Sequence, residues 1–132
     1  MVENDISYVY KILPNTPVYQ GIPVPVPSSY EIPRTQIDLD DGFIHLSTLK
    51  QLPGTLSRFF RDQTNVQILK IDYKRLSAFK IVKWEKASNG DFFPHLYATL
   101  EGEFVQSLRI VGNATKWEQT VSQLENEEWL QN

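Results

Sequence analysis

Apolar positions along the chain follow two different periods. SYVYKIL at 7–13 crowds aromatic and β-branched residues into a short run, which predicts a strand. NVQILKID at 65–72 and AFKIVKWE at 78–85 read the same way, joined by a short polar link. HLYATL at 95–100 and FVQSLRIV at 104–111 supply two more strands, and EGE at 101–103 between them suits a hairpin turn. GFIHL at 42–46 makes a sixth. Elsewhere the helical period takes over. Leu49, Leu52, Leu56, Phe59 and Phe60 recur at helical spacing behind TLKQ at 48–51, which has capping-box form. Pro53 sits too deep for the first helical position, so it predicts a kink or a restart. A second helix follows TKWE at 115–118, again a capping box, with Trp117, Val121 and Leu124 at i, i+4 and i+7. Gly112 and Asn113 supply the turn before it.

About six strands and two main helices, with no internal repeat and no linker, predict one α+β domain over residues 1–132. The proline pattern adds one feature. Six of the eight prolines fall between Pro14 and Pro33, with PVPVP at 23–27. Alternating prolines fix φ and remove backbone donors, which excludes a helix or a central strand. The proline-rich segment at 14–33 is therefore expected as a rigid loop draped over the fold, where it acts as a connector or a lid. The rival reading presents it to a partner domain that reads proline-rich peptides, although no dense basic flank accompanies it. ASNGD at 87–91 is a turn cluster, and DLDDG at 38–42 reads as a turn entering a strand, lacking the spacing of a calcium loop.

Charge and composition exclude more than they assign. The net charge is −3, which argues against a long nucleic-acid partner or an anionic membrane surface. No cysteine is present, so disulfides, thiolate nucleophiles and cysteine-ligated metals are excluded. The start of the chain lacks the form of a signal peptide and no apolar run reaches membrane-spanning length, so a soluble cytoplasmic protein is expected. NAT at 113–115 has the form of a glycosylation acceptor but reads as a turn and helix cap. Neither G-x-G-x-x-G nor a Walker loop occurs.

The chemistry concentrates in the chain's two histidines, which occupy matching frames, IHLS at 44–47 and PHLY at 94–97. Strand residues alternate between faces. His45 and Ser47 thus share one face with Phe43 beside them, while Ile44 and Leu46 point the other way. His95 and Tyr97 share a face opposite Leu96. Each motif carries an aliphatic side for the core and an imidazole-plus-hydroxyl side of the kind a ligand cleft needs. The competing reading makes both histidines hydrogen-bonded structural residues. A neutral imidazole accepts or donates near pH 7, and Ser47 or Tyr97 would position a substrate hydroxyl. Glu85, at the end of KIVKWE, is the candidate carboxylate, brought beside His95 by the following turn; otherwise it is a surface charge. Ser47 lacks a G-x-S-x-G elbow, so a serine-hydrolase triad is not expected. Neither motif holds a two-histidine ligand pair, so no metal site is expected either.

These motifs carry a resemblance. DLDDGFIHLSTLKQLPGTLSRFF, ILKIDYKRL, VKWE and GDFFPHLYATL, in order from Asp38 to Leu100, are similar to a small uncharacterised family, domain of unknown function 952. YVYKI at 8–12 fits that family's first strand. Two departures stand out: the proline-rich stretch is longer than the usual connector, and HLYAT replaces the commoner HLYG-P ending. The family is similar in fold to the ADP-ribosyltransferase superfamily, whose members cleave the nicotinamide bond of NAD in a crevice of a split, curved β-structure. The resemblance implies an ADP-ribosyltransferase-like domain using NAD as co-substrate on a small molecule or nucleotide derivative. His45, Ser47 and Tyr97 would then bind the cofactor, with His45 on ribose or pyrophosphate. His45, Glu85 and His95 would be the catalytic set, Glu85 or His95 standing near the reacting carbon. The alternative is a non-catalytic module binding an ADP-ribose-like or other phosphorylated ligand in the same crevice. A third reading is an adaptor recognised through its proline-rich loop.

Overall fold

Two buried strands and a third, more exposed one build the longer sheet. The computed structural model describes residues 5–112 and 116–132. In it β1 (Tyr8–Pro14), β3 (Asn65–Asp72) and β6 (Val105–Gly112) pair antiparallel in the order β1-β3-β6. Alternation divides β1 and β3 cleanly. Val9, Leu13, Leu69 and Ile71 enter one core, whereas Tyr10, Ile12, Val66 and Ile68 enter the other. That second core is closed by α3 (Leu52–Phe59) and α5 (Trp117–Asn126), through Leu52, Leu56, Trp117, Val121 and Leu124. Each fully buried aliphatic side chain contributes about 1.5–3 kcal/mol, so this sheet supplies much of the fold's stability. Pro53 falls in the first turn of α3, after a 3-10 turn at Leu49–Gln51, so the helix restarts where a missing N–H is harmless. Thr48 N donates to Gln51 Oε1 at 3.0 Å, as the capping box predicts. The buried Lys70 pins the C-terminal tail, donating to Trp129 O and Gln131 Oε1 at 2.7 Å each.

The second sheet is shorter. Its strands are β2 (Ile44–His45), β4 (Val82–Lys86) and β5 (Phe92–Leu96), ordered β2-β5-β4 and antiparallel. Ile44, Leu46 and Leu96 pack into the core between the sheets. The sheets meet at one bridge: Tyr10 N donates to Ser47 O at 2.8 Å, and Ser47 N returns a bond to Tyr10 O at 2.9 Å. The chain thus leaves β2 and pairs at once with the free edge of β1.

The α+β class and the six strands stand, in two antiparallel sheets, but five α-helices occur among the described residues where two were expected. The link expected to be polar and short is α4 (Tyr73–Phe79), capped by Asp72 accepting from Arg75 N at 3.1 Å and buried through Tyr73 and Leu76. The strand after it starts at Val82, because Ala78 and Phe79 belong to that helix. DLDDG is the end of α2 (Gln36–Asp41), not a turn: Thr35 and Asp38 form a capping box, and Gly42 closes the helix at φ 81°. β5 begins at Phe92 and stops at Leu96, short of the expected end at Leu100. EGE makes no hairpin, since Gly102–Phe104 is a 3-10 turn and β6 crosses to the other sheet. The proline-rich segment holds a four-residue α1 (Pro17–Gln20), with Pro17 at its start. Downstream it is strapped to residues 100–103: Ile32 N donates to Leu100 O, Gly102 N to Tyr30 O and Glu103 N to Ser28 O, at 2.8–2.9 Å. The NAT turn and Thr115 of the C-terminal capping box lie outside the described residues. Among those described, no helix is long and apolar enough to cross a membrane.

Candidate functional site

The outward face of the short sheet carries the site. His45 and His95 are direct cross-strand partners on β2 and β5, with ring centroids 5.5 Å apart. Phe43 lies over both, stacked on His95 at 4.0 Å and tilted against His45 at 4.5 Å, with Tyr97 at 5.3 Å. The pairing of β4 with β5 sets Lys83 opposite His95 and Glu85 opposite Phe93. Two-residue alternation thus collects Phe43, His45, His95, Tyr97, Lys83 and Glu85 on one face. The other face of β2 and β5 is core.

A carboxylate holds each imidazole, in contrasting ways. Around His45 it is Asp38, whose side chain is fully buried. Asp38 Oδ1 accepts from His45 N at 3.0 Å and lies 2.7 Å from His45 Nδ1. Asp38 Oδ2 accepts from Thr35 N at 3.1 Å and faces Lys11 Nζ at 2.7 Å. Burial alone would raise the Asp38 pKa, but the His45 hydrogen bonds and the Lys11 ammonium outweigh it and hold the carboxyl well below the usual carboxylate range. Burial pushes Lys11 below its ordinary value, with Asp38 opposing. Lys11 Nζ also donates to His45 O at 3.1 Å. On the outer side, His45 Nε2 lies 2.9 Å from Asp41 Oδ2.

Around His95 the carboxylate is at the surface. Glu85 Oε1 lies 2.8 Å from His95 Nδ1 and accepts from Tyr97 Oη at 2.6 Å. The Tyr97 hydroxyl and the His95 ring hold Glu85 below the ordinary glutamate value, and the same bond raises the Tyr97 pKa. His95 is only 12% exposed, and burial presses its pKa below the usual histidine value against the pull of Glu85.

Beside this face opens a cavity of about 520 Å³, between the edge of β1, β2 and α3. Lys11, His45, His95, Ser47 and Thr55 give it polar groups; Phe43, Phe59, Phe60 and Phe93 give it aromatic walls; Arg58 is another lining cation. Its volume falls within the range of small-ligand pockets. Three of the expected site residues, His45, Ser47 and His95, line it. Ser47 is buried, with its Oγ 3.2 Å from Thr55 Oγ1. Glu85 and Tyr97 join the site through His95 rather than by lining the cavity. Among the described residues, no group of three or more histidine and carboxylate side chains is arranged to hold a metal ion.

Sequence reasoning missed Lys11, Asp38 and Asp41. Lys11 had a signal, as the one charged residue inside an apolar strand run. Asp38 had another, standing three residues after Thr35 in capping-box spacing. Neither signal named His45 as the partner.

The comparisons agree with this architecture. The model of a family described as Protein of unknown function (DUF952) matches residues 27–108. A crystal structure of protein CC0527 from Caulobacter crescentus is similar at 26% identity and a TM-score of 0.70, covering 88% of this chain and 99% of that one. The solution NMR structure of CC0527 gives 30% identity and a TM-score of 0.66, covering 92% and 97%. No curated protein matches the chain.

Proposed function

The chain belongs to the DUF952 family of proteins of unknown function, and we propose that it is an NAD-utilising enzyme of the ADP-ribosyltransferase type, acting on a small molecule or nucleotide derivative. One observation carries this reading: two imidazoles face each other across paired strands at a cavity wall, with carboxylates at Asp38, Asp41 and Glu85 around them. The chemistry suits such a site. When the glycosidic C–N bond of NAD breaks, its electron pair leaves with neutral nicotinamide, and positive charge develops at the ribose carbon. No acid is needed for that departure; nearby negative charge is. Asp41 and Glu85 would supply it. The acceptor then bonds to that carbon, and its proton passes to His95, whose depressed pKa keeps the ring a ready base near neutral pH. The aromatic walls would hold the pyridine ring, His45 the ribose, and Arg58 the diphosphate, since Lys11 is committed to Asp38.

A second reading, a module that binds an ADP-ribose-like ligand without turnover, is favoured by Glu85, which is held by His95 and Tyr97 and does not line the cavity where a reacting carbon would sit. Nicotinamide release from NAD separates the two. The enzyme reading expects release that is lost in His95→Ala and reduced in Glu85→Gln. Absence of release, with thermal stabilisation by ADP-ribose, would leave the binding module. Absence of any response to either nucleotide would remove both.

A further inference from the structure

We propose that Asp38 is the positioning residue of the crevice: it fixes the His45 ring with its proton on Nδ1 and presents Nε2 to the ligand, while Lys11 neutralises the buried carboxylate. The proposal rests on the reading of His45 as a ligand-facing group. A carboxylate only accepts, so the ring nitrogen 2.7 Å from Asp38 Oδ1 carries the hydrogen. Nε2 lies 2.9 Å from Asp41 Oδ2, a second acceptor, so in this arrangement it too carries a hydrogen and the ring bridges two carboxylates. Asp38 is fully buried and Asp41 is 44% exposed, so the neutral ring at alkaline pH keeps its proton on Nδ1 and turns Nε2 to Asp41 and the cavity. The ring cannot turn over without leaving Asp38 unsatisfied, because every contact of that carboxylate is already assigned. Thr35 N and Lys11 Nζ meet one oxygen, and His45 N and Nδ1 meet the other.

Lys11 completes the device. A fully buried carboxylate without a counter-charge is strongly destabilising, and an ammonium at 2.7 Å removes that penalty. The same ammonium donates to the carbonyl of His45, so it grips the histidine's backbone while Asp38 grips its ring. His95 has no such arrangement. Its carboxylate, Glu85, is 40% exposed and shared with Tyr97. The two imidazoles are therefore inequivalent, one locked from behind and one held from the surface.

Long-range ¹H–¹⁵N NMR of the imidazoles in the full chain tests this, with His95→Asn assigning the two signals. At alkaline pH, His45 of the wild type is expected to carry its proton on Nδ1. The double variant Lys11→Met/Asp38→Leu removes both charges while keeping an apolar pair of similar volume. In it the proton is expected to move to Nε2, and nicotinamide release from NAD to fall about a hundredfold or more. A wild-type ring protonated on Nε2 overturns the proposal, and needs no variant to do so. So does a folded double variant that keeps the Nδ1 proton, or one whose proton moves with release unchanged. If the wild type releases no nicotinamide, the NAD reading fails, and the wild-type tautomer still decides the role of Asp38.

Discussion

The strands β1 and β3 of the long sheet and the strands of the short sheet all divide their side chains between two faces, yet they use alternation for opposite ends. In β1 and β3 both faces are buried: one set of side chains meets the short sheet, the other meets α3 and α5. In β2 and β5 only the aliphatic face is buried, and the other carries His45 and His95 at the wall of a cavity, with Tyr97 just past the end of β5. Scaffold and site are therefore separate sheets, joined through the Tyr10–Ser47 bridge. Where a polar residue does enter the scaffold, it serves a boundary: Lys70 ties down the tail and Lys11 supports His45.

The largest test of that division sets one residue from each sheet side by side. Leu69, fully buried between the sheets, should cost about 3 kcal/mol when cut to alanine, from lost burial and the cavity left behind. His95→Ala should cost about 1 kcal/mol or less while abolishing any response to ligand. Chemical denaturation of the two variants measures both. Equal losses would make the imidazole part of the packing, and the separation of scaffold from site would fail.

A smaller effect is expected at Gly102, where the proline-rich segment meets the chain before β6. A Cβ there would run into the carbonyl of Pro27 and the side chain of Val26. Gly102→Ala should therefore cost about 2 kcal/mol, because backbone on both sides must shift. The strap would then count as part of the scaffold. A variant as stable as the wild type would instead show that the segment lifts away easily, as a lid must.

What could be read from sequence follows the same division. Residues 65–72 announced β3 to the residue, because a strand buried on both faces is written as an apolar run. The histidine frames were legible because alternation is local, and Glu85 because a short turn joins β4 to β5. The Asp38–His45–Lys11 cluster was not legible. Lys11 and His45 lie 34 positions apart and meet only after β1 receives Ser47 at its free edge. α4 was hidden for another reason. Residues 73–77 read as a polar link and Ala78 and Phe79 as the start of the next strand, and the cap at Asp72 and the burial of Tyr73 and Leu76 decide otherwise.

The smallest effect probes how the two imidazoles differ. Removing the Glu85 charge by Glu85→Gln takes away a group that raises the His95 pKa, leaving burial to lower it. The His95 titration should therefore move further below its ordinary value, while Tyr97 returns toward an ordinary tyrosine. The sign carries over to stability. With its folded pKa already depressed, His95 binds a proton more readily when the chain is unfolded. Its contribution is complete above the ordinary histidine value of 6.5 and is lost as pH falls below it. Glu85→Gln should deepen that loss under mild acid. NMR titration of the His95 and Tyr97 ring signals reads both shifts. A His95 titration that does not move in Glu85→Gln would show that the glutamate does not hold the ring, and the contrast between the locked ring and the surface-held ring would dissolve.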